Sequence, residues 1–312
     1  MDKLSSLATP SATRAVLERH GLYTKYALGQ NFLVNDGIVR KIVALADVQG
    51  EDAILEVGPG IGTLTVALLQ EAGHVTAIEM DVDLPKVLAE TTAPWDEKFA
   101  LISANALDVT ADDISAAGGS MPTKLVSNLP YAVAATVVLD YFQRFPFLSS
   151  ATVMVQKEVA DRICAKPGSK TYGAYTVKLG LFAQVVGRFP VSPGNFFPPP
   201  RVESSVIRLD RTQPRDSSGE LIAPAQVECA CMMADAAFAN RRKTLSNSFK
   251  SYFSSLGERG KPVLEHLDDL FSRAQIDPRK RGEVLVQADF IRLAHAFAEM
   301  NPGFSPVLKF GD

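Results

Sequence analysis

Glu56-Val57-Gly58-Pro59-Gly60-Ile61-Gly62-Thr63-Leu64-Thr65 is the stretch that decides the fold. It follows a short apolar run, AILEV (53–57), and opens into a helical pattern after Gly62. Glycine admits sharp turns and lets another group approach the backbone closely, so the run reads as strand, tight loop, helix. Working outward, HVTAIE (74–79), KFALIS (98–103), KLVSN (124–128) and ATVMVQ (151–156) read as further strands. Helix-like stretches lie between them, near Leu84 to Glu90 and over AVAATVVLDYF (132–142). Strands alternating with helices imply a parallel sheet covered on both faces. Two later strands, VVGRFPV (185–191) and SSVIRLD (204–210), are joined by SPGNFFPPPRVE, too short for a helical crossover, so this pair is expected to be antiparallel. The expectation is an α/β, Rossmann-like, mostly parallel seven-stranded sheet with an antiparallel strand. TQPRDSSGE (212–220) reads as a linker, and helical patterns follow over 225–238, 241–253, 261–274 and 288–300. The domains expected are 1–212 and a helical 213–312.

Composition narrows the classes. The 312 residues are 46% hydrophobic and 21% charged, ordinary for a protein with a well-filled core. No run of 18 apolar residues marks a membrane span, and the first ten residues do not read as a signal peptide, so a cytoplasmic protein is expected. Three cysteines (Cys164, Cys229, Cys231) and four scattered histidines argue against a disulfide framework and against a metal site. The net charge of −3 is mildly unfavourable for a nucleic-acid binder, yet the charge is uneven. Arg241, Arg242 and Lys243 are consecutive, as are Arg279, Lys280 and Arg281, while Arg201, Arg208 and Arg211 share one short stretch. Such patches hold phosphate on an otherwise neutral chain, or are simply solvated faces.

The glycine run also carries chemistry. A plain G-x-G-x-x-G would suggest a dinucleotide, with its pyrophosphate at the helix N-terminus. Here an acid precedes the glycines, giving E-x-G-x-G-x-G, a pattern suited to the methionine part of S-adenosylmethionine. Gly58 and Gly60 would let the cofactor approach, and Glu56 would order the loop. Glu79 lies 23 residues beyond Glu56, at the end of the next strand, where a carboxylate can accept from both ribose hydroxyls.

Asn128-Leu129-Pro130-Tyr131 follows the strand KLVS. Ligands of open parallel sheets sit at the carboxyl ends of strands, so this tetrapeptide belongs beside the cofactor's methyl group. An exocyclic adenine amine is conjugated into its ring and is a poor nucleophile. Two fixed acceptors, the Asn128 amide oxygen and the Leu129 carbonyl, would favour a pyramidal nitrogen. Pro130 stiffens the backbone and pushes Leu129 into an extended conformation; Tyr131 offers a face for base stacking. In Phe196-Phe197-Pro198-Pro199-Pro200-Arg201-Val202-Glu203, three prolines hold a stiff loop from which Phe196 would stack on the other face of the base.

Taken in order, GQNFL (29–33), EVGPGIGTLT (56–65), IEMD (78–81), NLPY (128–131), MVQKEVADRI (154–163), YGAYTV (172–177), FFPPPRVESSVIRL (196–209) and NRRKTL (240–245) resemble the KsgA (RsmA) type of ribosomal RNA adenine dimethyltransferase. The resemblance spans nearly the whole chain. It implies a class I S-adenosylmethionine-dependent methyltransferase fold with a C-terminal helical domain. The implied substrate is two adjacent adenines in the 3′-terminal hairpin loop of 16S rRNA, within a pre-30S particle, each dimethylated at N6; a monomer is expected. It places cofactor contacts at Asn31, Leu33, Gly58, Gly60, Glu79, Asn105 and Asn128. Catalytic and base-holding roles fall on Asn128, Leu129, Pro130, Tyr131 and Phe196; by their charge, Arg201, Arg241, Arg242 and Lys243 are the candidate rRNA contacts. Only the resemblance points to Asn31 and Leu33. One departure stands out: the family usually has Asp where this chain has Asn105, and an uncharged acceptor makes the weaker hydrogen bond. The alternatives are a large-subunit rRNA adenine methyltransferase of the antibiotic-resistance type, a non-catalytic ribosome-assembly factor, and an NAD-dependent oxidoreductase. The YGAYTV and NRRKTL segments disfavour the first. Intact EVGPGIG and NLPY disfavour the second, and the lack of a hydride-transfer acid/base set disfavours the third.

Overall fold

β-Branched and aliphatic runs become strands here because both faces of the sheet are buried. The computed structural model describes residues 3–23 and 30–304. Its strands are β1 (Phe32–Leu33), β2 (Ala53–Val57), β3 (His74–Glu79), β4 (Phe99–Ser103), β5 (Lys124–Asn128), β6 (Ser150–Gln156), β7 (Ala183–Val191), β8 (Phe196–Phe197) and β9 (Ser204–Arg211). Its principal helices, in chain order, are α1 (Pro10–Arg19), α2 (Asp36–Ala46), α3 (Thr63–Glu71), α4 (Leu84–Thr91), α5 (Ala111–Ala116), α6 (Ala134–Arg144), α7 (Lys157–Ile163), α8 (Ala174–Gly180), α9 (Pro224–Phe238), α10 (Leu245–Ser255), α11 (Lys261–Glu265), α12 (Leu267–Arg273) and α13 (Gln287–Met300).

Seven strands form one sheet in the order β4-β3-β2-β5-β6-β9-β7. β2 pairs in parallel with β3 and β5, β3 with β4, and β5 with β6, whereas β9 runs antiparallel to β6 with Val153 opposite Ile207. From β2 the chain builds outward to β3 and β4, then returns to lay β5 on the other side. The strand order therefore reverses between β2 and β5, and the crevice at their carboxyl ends is where such sheets hold ligands. AILEV ends on one side of that crevice and KLVSN on the other.

Two features have no signature in the sequence. β1 and β8 form a small antiparallel ladder, Phe32 opposite Phe197 and Leu33 opposite Phe196, extended by Val34 N donating to Asn195 O at 2.8 Å. The other is the domain division. The chain splits into a unit of 1–160 with 185–211 and a unit of 161–184 with the residues from 212 onward. Where a division between 1–212 and 213–312 is expected, 161–184 groups with the helical unit and not with the sheet. The reason is burial: Tyr172, Val177 and Leu181 pack into the core formed by α9, α10 and α13. The assignment is locked by Lys178 pairing with Asp235 at 2.9 Å and by Gln287 donating to the Gly180 carbonyl at 2.9 Å.

The helix expected from Arg241 starts instead at Leu245, because Arg241 to Lys243 form a turn. The first helical amides, Leu245 N and Ser246 N, donate to the carbonyls of Lys280 (2.7 Å) and Pro278 (3.0 Å), which caps the helix there. Among the described residues no helix is long and apolar enough to cross a membrane.

Candidate active site

The crevice at the switch point is a cavity of about 310 Å³, walled by Gln30 to Leu33, Glu56 to Gly60, Ile78 to Met80, Ala104 to Ala106 and Asn128 to Val133. Gly58, Gly60 and Gly62 all have positive φ (70°, 62° and 89°), the left-handed region that favours glycine. Two of them also sit in close packing. A Cβ on Gly58 would lie 3.1 Å from the Pro130 ring, and one on Gly60 would lie 3.0 Å from Phe32. These close approaches bring the glycine loop, the N-L-P-Y turn and the Q-N-F-L segment together, though they are far apart in sequence. Gly29 lies outside the described residues.

Two carboxylates face this cavity. Glu79 is buried; its Oε2 accepts from Gly60 N at 3.3 Å and its Oε1 from Asp81 N at 2.9 Å. Burial, opposed by these backbone donors, holds its carboxyl above the usual range. Glu56 is only 1% exposed, and its Oε2 has no hydrogen-bond partner among the described residues. Burial, reinforced by the charge of Glu79, pushes its carboxyl up to about 8. Among the described residues, no Lys, Arg or His lines the cavity. Buried acids without a cationic partner are costly alone, and they suit a ligand bearing an ammonium and a sulfonium. S-adenosylmethionine is such a ligand.

On the opposite wall the Asn128 side-chain nitrogen donates to the Asn31 carbonyl at 3.3 Å. Leu129 is buried, with its N–H donating to Met154 O at 3.2 Å. Tyr131 lines the cavity half-buried, its hydroxyl 2.6 Å from Ser204 Oγ; burial holds the phenol above its usual range. Asn31, Leu33, Gly58, Gly60, Glu79, Asn105, Asn128, Leu129, Pro130 and Tyr131 are thus brought to one cavity.

Phe196 is not. It is 4% exposed and packs in the core with Leu33, Val39 and Ile42. A strand alternates its side chains, so in the short ladder with β1 Phe196 enters this core while Phe197 turns to the opposite side and packs, partly buried, against the cluster of Leu7, Val16 and Phe32. Phe197 is the half-exposed ring, with the Arg14 guanidinium 4.9 Å from its centroid. The ring expected to stack on the base is therefore taken up by the core. Asn105 lines the cavity, but its side-chain oxygen already accepts from Leu107 N at 3.2 Å. Arg201 is exposed on the loop before β9, and Arg241, Arg242 and Lys243 lie on the helical unit.

Sequence reasoning missed the partners that hold the site: Ser204 under Tyr131, and Asp81, whose carboxylate takes Gln30 Nε2 at 2.7 Å. The only available signal was that both sit inside motif runs, IEMD and the stretch after FFPPPRVE.

The family model described as ribosomal RNA adenine dimethylase matches residues 22–271. A ribosomal RNA small subunit methyltransferase A of Rhodococcus opacus is 40% identical over 298 residues, covering 93% of this chain and 94% of the relative. Its counterpart in Staphylococcus aureus (strain Newman) is 35% identical, covering 92% and 94%. Among solved structures, a dimethyladenosine transferase of Plasmodium falciparum superposes with a TM-score of 0.72 at 24% identity, covering 88% of this chain and 100% of that one. The 23S rRNA methyltransferase ErmE superposes at 0.59 with 22% identity, covering 85% and 99%; these two likenesses establish the shared fold. On the family match and the identity to its relatives, the protein belongs to the ribosomal RNA adenine dimethylase family and is an S-adenosylmethionine-dependent rRNA adenine dimethyltransferase.

Proposed function

We propose that the acceptor is the pair of adjacent adenines in the 3′-terminal hairpin loop of 16S rRNA, methylated at N6 by a monomer acting on a pre-30S particle in the cytoplasm. The observation that carries the chemistry is the fixed orientation of Asn128. Its donor nitrogen is tied to Asn31, so its oxygen is the end left to accept, next to the Leu129 carbonyl at the tip of β5. Small-subunit specificity is supported by the relatives of 35–40% identity, each described as a small subunit methyltransferase.

Bound S-adenosylmethionine supplies an electrophilic methyl group on its sulfonium. The chain's own part is positioning. Asn128 Oδ1 and the Leu129 carbonyl accept the two N6–H bonds, which draws the nitrogen lone pair out of ring conjugation. Tyr131, steadied by Ser204, stacks on the base. Glu79 and the glycine loop hold the ribose and methionine parts. Phe196 supports the site from the core by fixing β8 against β1.

Phosphate contacts fall to Arg201 and to the helical unit. There the start of α10, directly after the Arg241–Lys243 turn, is bonded to the 278–280 loop through Leu245 N and Ser246 N, which brings the turn near the Arg279–Arg281 triplet. The acids answering them are Glu283, 3.5 Å from Arg241, and Asp277, 3.0 Å from Arg279.

The test is methyl transfer from labelled S-adenosylmethionine to undermethylated small subunits, read by mass spectrometry of the rRNA. Dimethyladenine in the 3′-terminal hairpin, absent with Asn128→Ala, is expected. Transfer to large-subunit rRNA instead would overturn the choice of acceptor.

A further inference from the structure

A second cavity lies wholly within the helical unit, and methyl transfer gives it no role. It is about 310 Å³ and is bounded by one face of α13, the end of α12 and the turn at 215–217. Ala288, Arg292, His295 and Glu299 follow one another at three- and four-residue steps, the spacing of a single helix face, with Ile291 beside them. The opposing turn belongs to the stretch that reads as a linker in sequence. It is folded: Arg215 bridges to Leu221, and its guanidinium donates to Gly219 O at 2.7 Å.

The walls are rich in donors. Arg215, Arg273 and Arg292 all line the cavity, with the hydroxyl of Ser217. Arg292 is preset, with Nε on the Ala274 carbonyl (3.1 Å) and a terminal nitrogen on Asp289 (2.6 Å). Gln226 spends its amide oxygen on Ala223 N at 3.2 Å, so its amide nitrogen faces His295 Nδ1 at 3.5 Å. With Nδ1 accepting from Gln226, Nε2 is the ring nitrogen that bears a proton. That nitrogen is buried and has no partner among the described residues. An N–H shut from water without an acceptor is costly, so a ligand that supplies one is favoured.

Asp289 answers Arg292, and Asp216 lies within electrostatic reach of His295, but the acids leave much of the donor set over. Asp216 Oδ1 already accepts from Ser218 N (2.8 Å), Ser218 Oγ (2.6 Å) and Glu220 N (3.0 Å). Glu299 reaches Arg273 only at 3.8 Å, with side chains 68% and 59% exposed, an arrangement of little strength.

We propose that this cavity is an oxyanion site that takes a phosphate group, carried either by an RNA backbone or by a small phosphorylated molecule. Phosphate oxygens are acceptors only, matching the Nε2–H of His295, the Ser217 hydroxyl and the guanidinium forks. The phosphate assignment stands apart from the function proposed above; only its RNA source rests on that reading.

The test titrates inorganic phosphate, against chloride at matched ionic strength, into the full-length protein. The readout is the imidazole C–H resonances of the four histidines, with His295→Gln assigning the one of interest. A saturable shift of His295 is expected, with affinity about tenfold weaker in an Arg215→Gln/Arg273→Gln double variant whose melting temperature is unchanged. A resonance that ignores phosphate, or that shifts equally in the double variant, overturns the proposal. Binding of both proteins to undermethylated small subunits across salt concentrations then identifies the source. A flatter slope in the double variant means an RNA phosphodiester, and an unchanged slope with the phosphate response intact means a small ligand. Methyl transfer is followed separately, so failure of the rRNA reading is distinguishable from failure of this site.

Discussion

The side-chain nitrogen of Asn128 donates to the main-chain carbonyl of Asn31 across 3.3 Å, joining two motifs 97 positions apart. The bond turns the amide nitrogen of Asn128 toward Asn31 and leaves its oxygen as the free end for the proposed acceptor base. Asn128→Ala removes that acceptor and is expected to lower kcat by about a hundredfold or more, the scale of losing one preorganised hydrogen-bonding group. Cofactor affinity should fall much less. Single-turnover transfer and calorimetry separate the two; an unchanged kcat would remove Asn128 from the chemistry.

Glu56 should make cofactor binding and stability depend on pH. Its folded-state value, about 8, lies above its ordinary 4.5. The neutral acid is therefore favoured by folding, and that contribution is complete below pH 4.5 and lost as pH climbs through 8. The cofactor-free protein should lose thermal stability over that span, and Glu56→Gln should flatten the decline. A positively charged cofactor favours the ionised carboxylate, so binding near pH 7 should release protons. Calorimetry in buffers of different ionisation heat measures this release, and its persistence in Glu56→Gln would assign it to another group.

Phe196 and Tyr131 should fail in different ways. Phe196→Ala opens a hole in the core and is expected to cost about 3–5 kcal/mol of stability. Tyr131→Ala, at the half-exposed cavity wall, should leave melting nearly unchanged and impair transfer. If Phe196→Ala melted like the parent and lost activity, stacking would be its role after all.

Asn105→Asp should hold or tighten cofactor affinity. A carboxylate keeps the bond to Leu107 N and still has an acceptor for the cofactor's adenine amine, now charge-assisted. A clear loss of affinity by calorimetry would remove position 105 from the adenine site.

Neutralising Arg241, Arg242 and Lys243 together should weaken particle binding and flatten its dependence on salt. The log–log slope should shrink by roughly 0.7–0.9 for each phosphate the variant no longer neutralises. An unchanged slope would leave these as ordinary surface charges.

Much of this was legible in the chain because the signals are local. AILEV, HVTAIE, KLVSN and ATVMVQ are strands within a residue of the reading, since runs of apolar β-formers have few alternatives when both sheet faces are buried. Gly58, Gly60, Glu79 and N-L-P-Y were recognisable because each residue type is required by a backbone turn or a hydrogen bond at its own position. The misreadings were non-local. Arg241 to Lys243 continue a helical pattern, yet the helix starts at Leu245 because a loop some 35 residues later supplies the capping carbonyls. Phe196 and Phe197 are equivalent by composition, and only pairing with β1 decides which ring is buried.

The sequence alone determined the strand-loop-helix glycine motif, the place of the N-L-P-Y turn at the end of a strand, and the family, because these rest on residue types at fixed short spacings. Tertiary structure alone decided that 161–184 joins the helical unit, that the Asn128 amide nitrogen is tied to Asn31, and that Glu56 is sealed from water beside Glu79. Each of those depends on which distant segment packs against which, and burial and hydrogen-bond partners exist only once the chain has folded.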